Sequence, residues 1–237
     1  MLVNPPRSRR MLSLDAPPYS LSGAIYGVLM NDPAALQALG EAAAQPPYKA
    51  PPRAPVLYMK PRNTFAQDGA RMAPPAGVPA LELGATVGLV IGRAASRVPA
   101  ARALDHVAGV VLVADLFVPH QSFYRPSVRL RALDGSCFVS SRLAPVASLQ
   151  ALSSLTLQVD IDGAPAAALS LAGMQRPADV LLQDVSEFMT LGVGDVLLLG
   201  QKHGSPLLRP GQRFTISAPG LGALSGELGA AANGASR

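Results

Sequence analysis

The segment Glu82-Leu-Gly-Ala-Thr-Val-Gly-Leu-Val-Ile-Gly92 sets a single carboxylate at the head of an apolar run. Its apolar, β-branched run, ended by a glycine, reads as a buried strand. Side chains alternate along a strand, so positions 82, 84 and 86 share one face, where ligands two residues apart converge on one ion. Glu82 brings a carboxylate, Gly84 brings nothing, and Thr86 brings a neutral hydroxyl, a poor ligand for a hard cation. Asp115, in Ala114-Asp115-Leu116, reads either as an ion ligand or as a polar strand end paired with a neighbouring arginine. His120, five residues on, suits acid/base work or metal ligation, against the plainer reading of a solvated loop imidazole. His203 carries the same two readings. Cys137, the one cysteine, has no histidine beside it and reads as a core thiol. Serine-nucleophile, Walker and zinc-cluster patterns are absent.

The elements that must position these groups are mostly short strands. Ser22–Met30 reads as the first. Asn31-Asp32-Pro33 then opens a helix running to about Ala44, with Asp32 as N-cap and Pro33 in the first turn. A Pro-rich connector leads to the strand Val56–Lys60. The Glu82–Gly92 strand is followed by a short helix over Ala101–His106 and a strand over Val107–Ala114, and residues 116–133 read as irregular. Leu155–Ile161 alternates, and Asp162-Gly163 supplies a hairpin turn. Val180–Thr190 reads as a helix, Val196–Leu199 as a strand, and Pro210-Gly211 and Pro219-Gly220 punctuate two last strands. The pattern predicts a β-rich α+β single domain over residues 21–228, between a disordered leader (1–20) and a small-residue tail (229–237).

Composition narrows the function classes. Of 237 residues, 49% are apolar and 15% charged, which is a globular balance. No uninterrupted apolar run reaches the roughly 20 residues a membrane helix needs. A single cysteine allows no intrachain disulfide and fits a reducing cytoplasm. The formal charge of +5 is spread along the chain and there is no tryptophan, which argues against nucleic acid as a partner. An excess of arginine suits a small anionic substrate.

Beyond the Glu82–Gly92 strand, four segments share a pattern: Met189-Thr-Leu-Gly-Val-Gly-Asp195 through Gly200, Leu208–Ile216, Pro219–Leu224, and Asp134-Gly135. With that strand they resemble the fumarylacetoacetate hydrolase family over roughly residues 22–228. Tyr48-Lys-Ala-Pro-Pro52, Lys60-Pro-Arg-Asn-Thr64 and Ser122-Phe-Tyr-Arg-Pro126 are similar to one branch of it. That branch is the amino-terminal half of the isomerase/decarboxylases of 4-hydroxyphenylacetate (homoprotocatechuate) degradation.

The resemblance implies a mixed β-roll with a few short helices and an oligomer, either a homodimer or a hetero-oligomer with a catalytic family member. It also implies Mg²⁺ or Mn²⁺ acting as a Lewis acid on an open-chain 2-oxo or enol dicarboxylate. It gives catalytic roles to Lys60 and Asp115, beside which His120 is a catalytic candidate by its own position five residues past Asp115. Lys60, Tyr124, Arg125 and Arg131 would hold substrate, Arg125 by paired N–H donors to a distal carboxylate. Lys60 reads otherwise as a solvated strand end, and Tyr124 and Arg125 as loop packing at a subunit contact. Asp115 would be the remaining metal ligand. Glu82 is the only other carboxylate on the strand, and it is displaced by about 6.6 Å from the next same-face position.

Several positions depart from the family pattern. Gly84 and Thr86 replace two glutamates, Ala114 replaces an asparagine, and Arg131 replaces a lysine and so cannot shuttle a proton. Ser136–Ser140 and Gly200-Gln-Lys-His-Gly204 differ from their motifs, and Ala35 and Ala38 stand where some members carry a histidine and a glutamate. Two expectations follow: a decarboxylase/isomerase subunit, or a metal-free partner supporting an intact family member.

Overall fold

The computed structural model describes residues 12–15, 20–21, 23–120 and 127–230. Tyr124 and Arg125 lie outside these residues, as do 1–11 and 231–237 of the expected leader and tail.

Two long strands, Leu81–Ile91 and Val107–Phe117, run antiparallel through the centre of a large sheet. Nearly every residue in both is buried. That explains their unbroken apolar runs, because a strand covered on both faces loses the polar alternation of a half-exposed one. From one edge the sheet runs Val56–Lys60, Ile25–Leu29, Val196–Leu198, Leu81–Ile91, Val107–Phe117, Cys137–Val139 and Phe65–Gln67, with Leu207–Leu208 also paired to the Leu81 strand. Most pairs are antiparallel, but Val196–Leu198 runs parallel to Ile25–Leu29, and Phe65–Gln67 to Cys137–Val139. The result is a mixed sheet.

A second sheet, ordered Ala164–Ser170, Thr156–Ile161, Arg213–Ala218, Gly222–Leu228 and Arg71–Met72, packs on the first. Leu157, Val159, Ile216 and Leu224 meet Leu83, Ala85 and Leu116 in one core, with Phe138 and Phe214 edge-to-face at 5.2 Å. Ala178–Phe188 covers part of it with Leu181, Leu182 and Val185, a 3.6-residue stripe. The fold is a mixed, sheet-rich roll with a few short helices.

The expected elements recur with instructive differences. Asp32 caps the helix Pro33–Leu39, but Gly40 at φ 51° ends it, and Gly40–Ala44 continues as a 3₁₀ turn. The Asp162-Gly163 turn joins Thr156–Ile161 to Ala164–Ser170 with both φ angles positive (52° and 79°), as a two-residue hairpin of this kind requires. The Val107 strand runs on to Phe117, three residues past the expected end, so Asp115 is a paired strand residue opposite Gly84 and Cys137. The expected disordered leader is corrected in part. Leu12–Ser13 pairs with Ser20–Leu21, and Leu12, Leu14 and Leu21 are buried against Phe65, Val111 and Val196. Three leucines are reason enough for this stretch to dock rather than stay in solvent.

Candidate functional site

Three of the residues that the sequence singles out, Lys60, Asp115 and Arg131, meet at one buried carboxylate. Asp115 is fully enclosed, Lys60 likewise, and Arg131 is 3% exposed. Lys60 comes from the end of the edge strand and Arg131 from the short helix Val128–Arg131. Tyr58 sits two residues before Lys60, on the same face of its strand. Gln201 lies just past the Val196–Leu198 strand.

Lys60 Nζ lies 2.7 Å from Asp115 Oδ1 as an ion pair. Its aligned donors go to the Arg131 carbonyl and, at 2.8 Å, to Ser136 Oγ. Asp115 Oδ2 accepts three hydrogen bonds: from Tyr58 Oη at 2.6 Å, Gln201 Nε2 at 2.7 Å and Arg131 Nη1 at 3.2 Å. The Arg131 guanidinium is also stacked, 3.8 Å from the Phe117 ring centre and 4.6 Å from that of Tyr58. Two cations therefore serve one anion, and a buried charge is tolerable only when paired and hydrogen-bonded in this way.

The charges set the protonation states. Burial alone would raise the Asp115 carboxyl, but the Lys60 and Arg131 charges and the Tyr58 hydrogen bond outweigh it and hold the pKa below the usual carboxylate value. Burial, then the Asp115 charge, pushes the Tyr58 phenol well above its ordinary value. Burial also raises the Cys137 thiol, to about 12. Asp115 is thus an anion and Tyr58 and Cys137 are neutral at neutral pH. None is poised to exchange a proton there.

The other candidates lie around this cluster. Glu82 is half-buried next to the end of the Leu81 strand and takes no part in the Asp115 hydrogen bonds; burial raises its pKa. His120 is half-buried, with Nδ1 2.8 Å from the Val118 carbonyl and its ring edge-on to Phe117 at 5.7 Å. Burial lowers its pKa, which favours neutral imidazole. The exposed His203 uses its backbone N–H to reach Asp32 at 2.8 Å, not its ring. Cys137 is a buried free thiol, as expected of a core residue. An apolar groove of about 180 Å³ between Met30, Leu36, Leu39, Tyr48, Pro51 and Val56 shares no lining residue with the Asp115 cluster.

Sequence reasoning missed Tyr58, Ser136 and Gln201 as members of the site. The available signal was glycine within strands, which marks close approach by another group. A methyl on Gly84 would meet Gln201 Cδ and Nε2 at 2.4 Å, and one on Gly27 would meet the Tyr58 ring at 2.0 Å.

A divalent cation does not fit this donor set. Mg²⁺ and Mn²⁺ want several oxygen ligands in near-octahedral array. Among the described residues no three His, Cys, Asp or Glu side chains converge as a metal site, and Asp115 is already neutralised by Lys60 and Arg131.

The mixed roll closes on the Asp115 carboxylate near one end of its central strands. The fumarylacetoacetate hydrolase C-terminal family model matches residues 24–228, and the chain belongs to that family. It is 40% identical over 204 residues to the 4-hydroxyphenylacetate degradation bifunctional isomerase/decarboxylase of Salmonella dublin, a match covering 86% of this chain and 46% of that protein. For the Escherichia coli protein of the same name the identity is 38%, covering 85% and 46%. The chain spans about half the length of these curated relatives. The fold is shared with fumarylpyruvate hydrolase from Pseudomonas aeruginosa, solved in complex with Mn²⁺ and pyruvate (TM-score 0.78, 18% identity, covering 97% of this chain and 100% of that one). It is shared too with 5-carboxymethyl-2-hydroxymuconate delta-isomerase from Mycobacterium smegmatis (TM-score 0.74, 22% identity, covering 90% and 81%).

Proposed function

We propose that this chain is a metal-free partner subunit in the isomerase/decarboxylase step of 4-hydroxyphenylacetate catabolism, working in the cytoplasm beside a family member that keeps its metal ligands. The observation that carries this reading is the closure of Lys60, Arg131, Tyr58 and Gln201 on Asp115: Oδ2 accepts three hydrogen bonds and Oδ1 faces the Lys60 ammonium at 2.7 Å, so two cations already neutralise the carboxylate. The partner would hold Mg²⁺ or Mn²⁺, and the pair would act on a small anionic ring-cleavage product, a 2-oxo-alkene tricarboxylate or 2-hydroxy-diene dicarboxylate.

The 40% identity to a curated isomerase/decarboxylase favours a second reading. In it this chain itself performs the decarboxylation or isomerisation, with Lys60, Asp115 and His120 at the reacting carbons and Tyr124, Arg125 and Arg131 on the substrate carboxylates. One experiment separates the two. Chelator-treated chain is assayed on the 2-hydroxy-diene dicarboxylate by loss of diene absorbance, alone and then mixed with a Mn²⁺-loaded family member retaining both glutamates. The partner reading expects no turnover alone, co-elution of the two chains on size exclusion, and faster turnover than the intact member gives by itself. Turnover by the isolated chain, lost in Lys60→Ala, would establish the second reading.

A further inference from the structure

We propose that Gln201 and Lys60 together bar divalent cations from the Asp115 corner, Gln201 by filling the space over Gly84 and Lys60 by supplying the charge an ion would bring. This rests on the reading of the chain as a metal-free subunit and deepens it, because it names the residues responsible. Gly84 lies directly opposite Asp115 in the strand register. Any side chain at position 84 would enter the space of the Gln201 amide: a methyl placed there would stand 2.4 Å from its Cδ and Nε2 and 2.9 Å from its Cγ.

The amide is suited to that place at both ends. Its Nε2 donates to Asp115 Oδ2 at 2.7 Å and contacts Tyr58 Oη at 3.2 Å, while its Oε1 accepts from Arg131 Nη1 at 3.5 Å. A carboxylate there would repel Asp115, and an ammonium could not accept from Arg131. Position 86 completes the arrangement. Thr86 Oγ1 donates to the Gly200 carbonyl at 2.6 Å and so tethers the residue before Gln201. On the far side, Asp32 holds the loop through Lys202 Nζ at 3.0 Å and the His203 N–H at 2.8 Å. Thus Gly84 gives Gln201 its socket and Thr86 its tether. Lys60, enclosed at 2.7 Å from Asp115 Oδ1, sets its charge against the other oxygen of the carboxylate.

The test uses the full chain, stripped with chelator, with Mn²⁺ as the probe. Wild-type protein is expected to show no Mn²⁺ binding by electron paramagnetic resonance and no change in unfolding midpoint. The triple variant Gly84→Glu, Gln201→Gly, Lys60→Ala is expected to bind Mn²⁺ and to gain about 5 °C or more at saturation. Adding Asp115→Ala should abolish both effects. A double-mutant cycle keeps the proposal open to refutation if the triple variant does not fold. Gly84→Ala should lower the midpoint by several degrees in wild-type protein, but by less than about 1 °C beside Gln201→Ala. Equal losses in the two backgrounds would show that Gln201 does not fill the space, and would overturn the proposal. A folded triple variant that ignores Mn²⁺ would overturn it too, while leaving the metal-free reading standing. Mn²⁺ binding by wild-type protein through Asp115 would overturn both.

Discussion

Lys60 and Asp115 are 2.7 Å apart, yet three strands of the large sheet lie between the strands that carry them. In a flat sheet four spacings of about 4.8 Å would separate their backbones by roughly 19 Å, more than the two side chains can span. The sheet must therefore curl, and the ion pair closes the concave side. Sheet twist supplies the direction of the curl. The pair fixes where the edge strand comes to rest, which ties the electrostatics of the site to the shape of the fold.

If the pair closes the roll, Lys60→Met should cost about 3 kcal/mol of unfolding free energy, at the lower end for a broken buried pair because Arg131 still faces Asp115. The double variant Lys60→Met, Asp115→Asn should be less stable than the single, since it leaves the buried Arg131 guanidinium with no carboxylate to face. Urea denaturation with an unchanged slope checks both. A single variant within a few tenths of a kcal/mol of wild type would mean that the pair holds nothing.

The Asp115 carboxyl titrates below its ordinary value of about 4, so its contribution has a definite pH window. A depressed carboxylate stabilises the fold above the unfolded pKa, and that contribution fades as pH falls through the folded one. Wild-type protein should lose stability more steeply than Asp115→Asn between pH 4 and lower values. The gap between them, largest near neutrality, should narrow as the acid limit is approached. Parallel acid curves for the two proteins would show that Asp115 is not held as an anion.

Much of the fold was legible in the sequence because its signals are local. The apolar runs at 81–91 and 107–117, the Asp32-Pro33 helix start and the Asp162-Gly163 turn each carry their own cause. Lys60, Asp115 and Arg131 were legible as candidates, but their mutual contact was not, since it depends on sheet curl and on a 71-residue separation between Lys60 and Arg131. Tyr58 and Gln201 were missed because neither residue type signals a buried role by itself. Leu12 and Leu14 were missed because the prolines and arginines around them outweighed three leucines in a polar stretch.

Cys137 offers a clean probe of opening. Its thiol is fully buried and raised to about 12, so a thiol reagent at pH 8 should label it only as fast as the chain unfolds. The same shift carries a sign for stability. Above the unfolded thiol value of about 8.5 the unfolded chain gives up a proton that the folded one keeps, so stability falls as pH rises from there toward 12. Cys137→Ala should show a shallower alkaline decline. Rapid labelling of native protein would place the thiol on an accessible path and contradict its burial.

The two glycines of the site should respond differently to a methyl group, and the difference tests how the Asp115 cluster is built. At Gly84 the added carbon meets the far end of a flexible Gln201 side chain, which can withdraw. At Gly27 it would lie 2.0 Å from Tyr58 Cζ and 2.4 Å from Oη. That ring is held by the Asp115 hydrogen bond at 2.6 Å and by the Arg131 guanidinium stacked on it at 4.6 Å, so displacing it breaks both contacts. Gly27→Ala should therefore cost about 2–3 kcal/mol, the range for overpacking a fixed core, and Gly84→Ala distinctly less. Urea titrations of the two single variants decide it. If Gly84→Ala were the more damaging, the Gln201 amide, not the Tyr58 ring, would be the rigid member of the cluster.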